Sequence, residues 1–246
     1  MFHRFKVTEM GKRVFWLRGK EREHLVRVLR LEPGDRLIGF DNSGGEWLAE
    51  VAEIAEESVT CAILAESRPD VEAHCEVVLA AGLTKGEKLE WVIQKGTELG
   101  MRGFIPLRTK RSVLRLEGTK ARDRVERWQK IAAEAAKQSG RVQEPRVSAV
   151  SDWSELPDSL PRGCQCLIPY EAERVRGLKS VLSTLDRGRS IVLLIGPEGG
   201  FDPVEVAWAE NNLQAVRVSL GPRILRAETA ALAALTMVLA HAGDLG

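Results

Sequence analysis

Ile191–Ile195 is a run of five apolar residues with no polar interruption, and it leads directly into Gly196-Pro197-Glu198-Gly199-Gly200. A strand with one wet face alternates polar and apolar side chains, whereas an unbroken apolar run is buried on both faces. Such a strand belongs inside a mainly parallel sheet, and its partners are legible elsewhere in the chain. Residues 75–81, 104–107, 164–168 and 215–220 read as further strands. Helical patterns separate them, at 87–99 (stopped by Gly100), 120–139 (stopped by Gly140), 174–185 and 203–212. Residues 226–242 form a last helix, apolar almost all round, which suits burial in a core or at a subunit contact. Strands alternating with helices predict an α/β fold with both faces of the sheet covered.

The first 70 residues follow another pattern. Short strands are expected at 2–7, 14–17, 36–40, 46–54 and 58–65, with a short helix at 21–31. Asp41-Asn42-Ser43-Gly44-Gly45 is a hairpin signal between two of them. Arg68-Pro69-Asp70 then interrupts the pattern, which places a domain boundary there: a small β-rich unit over 1–70 and a larger one over 71–246.

Net charge is +1, so the total says nothing about partners, but its distribution does. Residues 1–30 hold nine Lys/Arg against three Asp/Glu, and residues 108–147 hold twelve against five. Concentrated basic segments suit a polyanion, although solvated helix faces also carry such charge. The four cysteines form no C-x-x-C pair and the four histidines are scattered, so neither a metal site nor a disulfide framework is expected. Cys164-x-Cys166 should put both thiols on one side of a strand. No apolar run has membrane-spanning length and MFHRFKV lacks a signal-peptide core, so a cytoplasmic location is expected.

In open parallel sheets, ligands bind beyond the carboxyl ends of strands. Two ends stand out: LLIGPEGGF at 193–201 and SLGPRILRAETA at 219–230. Each has a strand, then Gly-Pro, then a turn carrying charge. Neither matches a phosphate loop or a dinucleotide fingerprint. Glycine lets a ligand approach the main chain and proline stiffens the turn. Two similar turns closing neighbouring strands predict a pocket built largely from peptide groups.

In combination, these two stretches resemble the cofactor loops of the SPOUT methyltransferases. HLVRVLRLEPGD at 24–35, KGEKLEWVIQKGTELG at 85–100, PLRTKRSV at 106–113 and KIAAEAAKQSGR at 130–141 narrow the resemblance to the small-subunit ribosomal RNA uridine N3-methyltransferases. It covers nearly the whole chain. It implies an α/β trefoil-knot domain over 71–246, a PUA-like β-barrel that assists RNA binding over 1–70, a homodimer, and S-adenosylmethionine as cofactor. The cofactor would be wrapped by Leu194, Ile195, Gly196, Pro197, Gly199 and Gly200 on one side. Leu220, Gly221, Ile224 and Leu225 would form the other, with Pro169-Tyr170-Glu171 as a third loop. The partner would be small-subunit ribosomal RNA or the subunit itself. The family often has alanine where Gly96 stands.

Methyl transfer to a uridine nitrogen needs alignment, and either a base or a cation that stabilises the uracil anion. Arg226 is the candidate cation, since a guanidinium stays charged and donates two hydrogen bonds to a carbonyl edge. A salt bridge to Glu228 is the structural alternative. Glu198 is a candidate proton acceptor or neighbour of the sulfonium; otherwise it is a turn carboxylate or a helix cap. No general base is identified by residue type alone.

For RNA, Arg124, Arg127, Lys130 and Lys137, followed by Arg141, form a stripe along the helix at 120–139. Arg108, Lys110 and Arg111 form a second cluster, and Arg27 and Arg30 join further basic residues in the first unit. The resemblance places Lys95, Glu98, Arg111, Ser112, Gln138 and Arg141 at the target cleft, though Lys95 and Glu98 are also spaced to pair on a helix surface. Three other readings remain: a SPOUT enzyme acting on a ribose 2′-hydroxyl, a non-catalytic RNA-binding or ribosome-assembly factor, and a nucleotide-binding metabolic enzyme.

Overall fold

The computed structural model describes residues 2–186 and 188–246. The chain forms two compact units, residues 1–72 with 136–144, and residues 73–135 with 145–246.

In the first unit, β1 (Arg4–Lys6), β2 (Glu9–Met10), β3 (Val14–Arg18), β4 (Arg36–Phe40), β5 (Glu46–Ile54) and β6 (Ser58–Ser67) form one sheet in the order β1-β4-β5-β6-β3-β2. The β1–β4 pair is parallel and the others are antiparallel. Alternate residues such as Trp47, Ala49 and Val51 of β5 point into a core with Phe5, Phe15, Leu17 and Leu37. Gly39 shows that the sheet curls. β3 and β4 are not neighbours in it, yet a methyl group on Gly39 would lie 2.7 Å from the Phe15 ring. Burial in this core pushes the Cys61 thiol up to about 12.

The helix expected at 21–31 is shorter and changes pitch. α1 (Gly19–Glu23) widens into a π-helical turn, His24–Leu29. It stops because Arg30 takes a left-handed conformation, φ 54°, and the Leu31 N–H bonds back to the Leu25 carbonyl at 3.2 Å. Residues 136–144 belong to this unit although they lie far along the chain, and ion pairs tie them there. Arg141 is 3% exposed and grips Glu72 through Nη2 at 2.6 Å and Nε at 3.0 Å. Lys137 pairs with Glu21 at 2.6 Å, and Lys6 pairs with Glu144.

The second unit contains β7 (Val77–Gly82), α2 (Lys88–Leu99), β8 (Gly103–Leu107), most of α3 (Gly118–Ser139) and β9 (Arg146–Val147). α4 (Leu156–Ser159), β10 (Gln165–Pro169), α5 (Leu178–Leu182), β11 (Ile191–Ile195), α6 (Pro203–Leu213), β12 (Val216–Val218) and α7 (Ala227–Ala242) follow. Its sheet is parallel throughout, in the order β12-β10-β11-β7-β8-β9. β11 therefore enters between β7 and β10, both of which precede it in the chain. The alternation of β11 divides the interior. Ile191, Leu193 and Ile195 pack with residues of α2, α3 and α7, while Val192 and Leu194 pack with Phe201 and with Val206 of α6.

Three details follow from local chemistry. The helix expected at 174–185 is reduced to α5, because Ser219 bonds to the Arg176 carbonyl at 2.7 Å and accepts the Leu178 N–H at 3.0 Å. That extended pairing excludes a helix before Leu178. Gly96 has a packing reason, since a methyl there would lie 3.1 Å from Met101 Sδ. The Cys164 and Cys166 thiols lie on one side, 3.8 Å apart.

Candidate active site

β10, β11 and β12 end together, and their loops enclose a cavity of about 310 Å³. That volume lies in the range of small-molecule pockets. In the loop after β11, the Gly200 N–H closes a turn onto the Pro197 carbonyl at 2.9 Å, with Gly200 at φ 66°. Gly196 is just as constrained: a methyl there would sit 3.0 Å from the Phe201 nitrogen. After β12, Gly221 adopts φ 113° and donates its N–H to Ser219 Oγ at 3.2 Å. The loop after β10 is tethered to β12 by the Tyr170 N–H, which bonds to the Val218 carbonyl at 3.0 Å.

Most residues singled out in the sequence meet here. Pro169, Ile195, Gly196, Pro197, Glu198, Gly199 and Gly200 line the cavity. Leu220, Gly221, Ile224 and Leu225 line it from the other side. Leu194 is not among the lining residues. Its side chain is fully buried with Phe201 and Val206, because strand alternation turns it to the opposite face from Ile195.

The two candidate catalytic residues differ in their commitments. Glu198 lines the cavity, but its Oε1 accepts Lys88 Nζ at 2.9 Å and the Lys85 N–H at 3.2 Å. Partial burial raises its pKa, but the Lys88 hydrogen bond and the backbone donors outweigh this and hold the carboxyl below its ordinary value. Arg226 is the residue before α7; its carbonyl accepts the Ala230 N–H at 2.8 Å and its side chain is exposed. Among the described residues its guanidinium makes no hydrogen bond or ion pair, to Glu228 or to any other group. Next to the cavity, Thr84 Oγ1 and Glu228 Oε2 line one small space beneath Gly196, both buried without a hydrogen-bond partner. No cluster of three or more His, Cys, Asp or Glu residues suited to a metal occurs among the described residues.

An RNA methyltransferase domain model matches residues 71–239, more than half of the chain, and an RNA methyltransferase PUA domain model matches residues 17–64. The chain belongs to this RNA methyltransferase family. Its relatives include the ribosomal RNA small subunit methyltransferase E of Bacillus subtilis, 39% identical over 91% of this chain and 89% of that protein. The protein of the same name from Synechocystis is 36% identical over 87% of this chain and 69% of its own length. Among solved structures, the Neisseria gonorrhoeae ribosomal RNA small subunit methyltransferase E bound to S-adenosyl methionine is similar with a TM-score of 0.84. It is 30% identical, and the match covers 96% of each chain.

As an RNA methyltransferase, the chain would need accessible cations, and the structure divides its candidates sharply. Lys95 is paired with Glu98 at 2.8 Å on α2, which is the helix-surface pairing that their spacing allows. Arg108 holds Asp152 at 2.8 Å and reaches the Leu116 carbonyl at 3.3 Å. Arg124 and Arg127 both bind the carboxylate of Glu90, at 3.0 and 2.7 Å, so the stripe along α3 is partly neutralised from within. Ser112 Oγ faces Thr109 Oγ1 at 2.8 Å, and Arg111 donates to the Gly199 carbonyl at 3.0 Å. Lys137 and Arg141 are held in the ion pairs of the first unit. Lys130, Gln138, Arg27 and Arg30 are exposed.

Several lining or supporting residues escaped the sequence reading. Gly82 ends β7, and a methyl there would lie 2.6 Å from Pro197 Cδ, so only glycine lets the proline pack. Its signal, a lone glycine closing an apolar strand, was present but ambiguous. Lys85 and Lys88, which follow the neighbouring strand β7, hold Glu198 and carry no local mark of doing so. Glu173, Arg174 and Arg223 line the cavity as well, beside Tyr170 and Glu171 of the expected third loop. Glu171 lies so close over Gly200 that a methyl there would be 2.8 Å from its Oε1.

Proposed function

We propose that this chain transfers a methyl group from S-adenosylmethionine to N3 of a uridine in small-subunit ribosomal RNA. The observation that carries this reading is the cavity at the ends of β10, β11 and β12, built by two glycine-proline turns in a member of an RNA methyltransferase family. The residues present fit the donor. Gly196, Gly199, Gly200 and Gly221 bring bare peptide groups to the cavity wall, and Ile195, Leu220 and Leu225 supply apolar surface for an adenine ring. The carboxylates of Glu171, Glu173 and Glu198 suit a ligand carrying positive charge and hydroxyl donors. When bound, the cofactor supplies an electrophilic methyl group on a sulfonium.

The chain's own residues then divide the work. The loops after β10, β11 and β12 orient the donor and exclude water from it. Arg226, with its guanidinium uncommitted, stabilises negative charge developing on the uracil carbonyl edge as N3 gives up its proton to solvent water. Glu198 fixes the turn through Lys88 and Lys85 and places negative charge beside the donor. Its lowered pKa makes it a weak proton acceptor at neutral pH. The 1–70 unit acts as a PUA-like RNA-binding barrel, and the entry of β11 between earlier strands suits a trefoil knot. Trp91 on α2 is 47% exposed, and it supports burial of that face in a homodimer. A ribosomal substrate puts the reaction in the cytoplasm.

The test is direct. Small-subunit RNA, free and assembled, is incubated with the purified chain and labelled donor, and modified nucleosides are mapped. N3-methyluridine at one position is expected. Label on a ribose, or transfer to neither substrate, overturns the reading.

A further inference from the structure

We infer that Arg111 is a positioning residue for the methyl-donor site, a latch that holds the glycine turn after β11 in shape. This rests on the function proposed above and assigns a role within it.

Arg111 sits on the loop after β8, and that loop is anchored from below. The Lys110 N–H donates to Glu205 Oε1 at 2.7 Å, and the same oxygen accepts Trp153 Nε1 at 2.9 Å. Glu205 is 8% exposed, and its other oxygen accepts the Asp202 N–H at 2.9 Å in the capping box that starts α6. Thr109 and Ser112 close the loop on itself, through their hydroxyls at 2.8 Å and the Ser112 N–H to the Thr109 carbonyl at 3.1 Å. The loop is therefore fixed to the start of α6, the helix that follows the glycine turn.

From this platform Arg111 reaches the turn itself. Its Nη1 donates to the Gly199 carbonyl at 3.0 Å, and Nη2 lies 3.7 Å from Asp202 Oδ2. Its stem packs against the same residue, since a methyl on Gly199 would meet Arg111 Cβ at 3.3 Å. A peptide between two glycines rotates easily, because no Cβ restricts either side. Gly199 and Gly200 are such a pair, and both line the cavity, whereas Arg111 does not. By holding the Gly199 carbonyl, Arg111 fixes the 199–200 peptide in one orientation. Pre-organising a binding loop improves affinity by removing the cost of ordering it.

The experiment is calorimetric titration of the full chain with S-adenosylmethionine, without RNA. Arg111→Ala should weaken donor binding roughly three- to tenfold, the range of one hydrogen bond of modest net strength. The Michaelis constant for the donor should rise by the same ratio while kcat at saturating donor and RNA changes little. Arg111→Lys should recover part of the loss. Lys110→Ala removes the side-chain ion pair with Asp202 at 3.2 Å but leaves the backbone anchor and the Gly199 carbonyl held, so it should weaken donor binding less than Arg111→Ala does; an equal or larger loss overturns the assignment. Unchanged donor affinity in Arg111→Ala, with only RNA binding weakened, overturns the assignment. Failure of the unsubstituted chain to bind the donor overturns the proposed function, and this role with it.

Discussion

The loops around the cavity and the basic segments treat charge in opposite ways. Around the cavity, backbone conformation dominates, and Arg226, which sits between the lining residues Leu225 and Ala227 but is not itself among them, is uncommitted. In the basic segments most of the candidate cations are already bound: Arg108, Arg111, Arg124, Arg127, Lys137 and Arg141 all have acidic or carbonyl partners. A surplus of lysine and arginine in a stretch of chain therefore overstates the positive surface it offers. Which cations are free is decided by the acids that folding brings to them, and Glu90, Glu72 and Glu21 all come from other parts of the sequence.

Substitutions should therefore separate by partner and not by residue type. The largest effect should come from Arg226→Ala: kcat falls by about 100-fold or more, as for loss of a preorganised donor to transition-state charge, while calorimetric donor affinity stays near the original. Equal loss of both would remove the distinction. Next, Arg141→Ala should lower stability by about 3 kcal/mol in urea unfolding, because Glu72 loses its buried partner. A change confined to RNA affinity would mean that Arg141 serves the ligand after all. The smallest effect should come from Lys130→Ala, with stability within about 0.5 kcal/mol of the original. There the slope of log affinity for RNA against log salt should shrink by about one unit. An unchanged slope would take Lys130 off the RNA surface.

The cavity is largely legible in the sequence because its determinants are local. Gly-Pro after an apolar run predicts a strand end and a turn whatever the rest of the chain does, and Ile195, Gly196, Leu220 and Gly221 do line one space. The Leu194 side chain faces away from the cavity that Ile195 lines, because the alternation of a strand sends neighbours to opposite faces. Helix 174–185 failed for a related reason: its pattern is helical, but pairing of Arg176 and Leu178 with Ser219 overrides local preference. The π-helical turn at His24–Leu29 had no readable signal, since one side-chain periodicity serves both pitches over so few residues.

By itself, the sequence determined the α/β alternation, the buried strands, the two glycine-proline turns and the family to which the chain belongs, because each is written in contiguous residues. Only the tertiary structure decided which charges are spent and which are free, that Glu198 is held by Lys88, and that Arg111 grips Gly199. Those facts depend on pairs separated by 88 and 110 positions, and no local pattern encodes a distance of 3 Å between them.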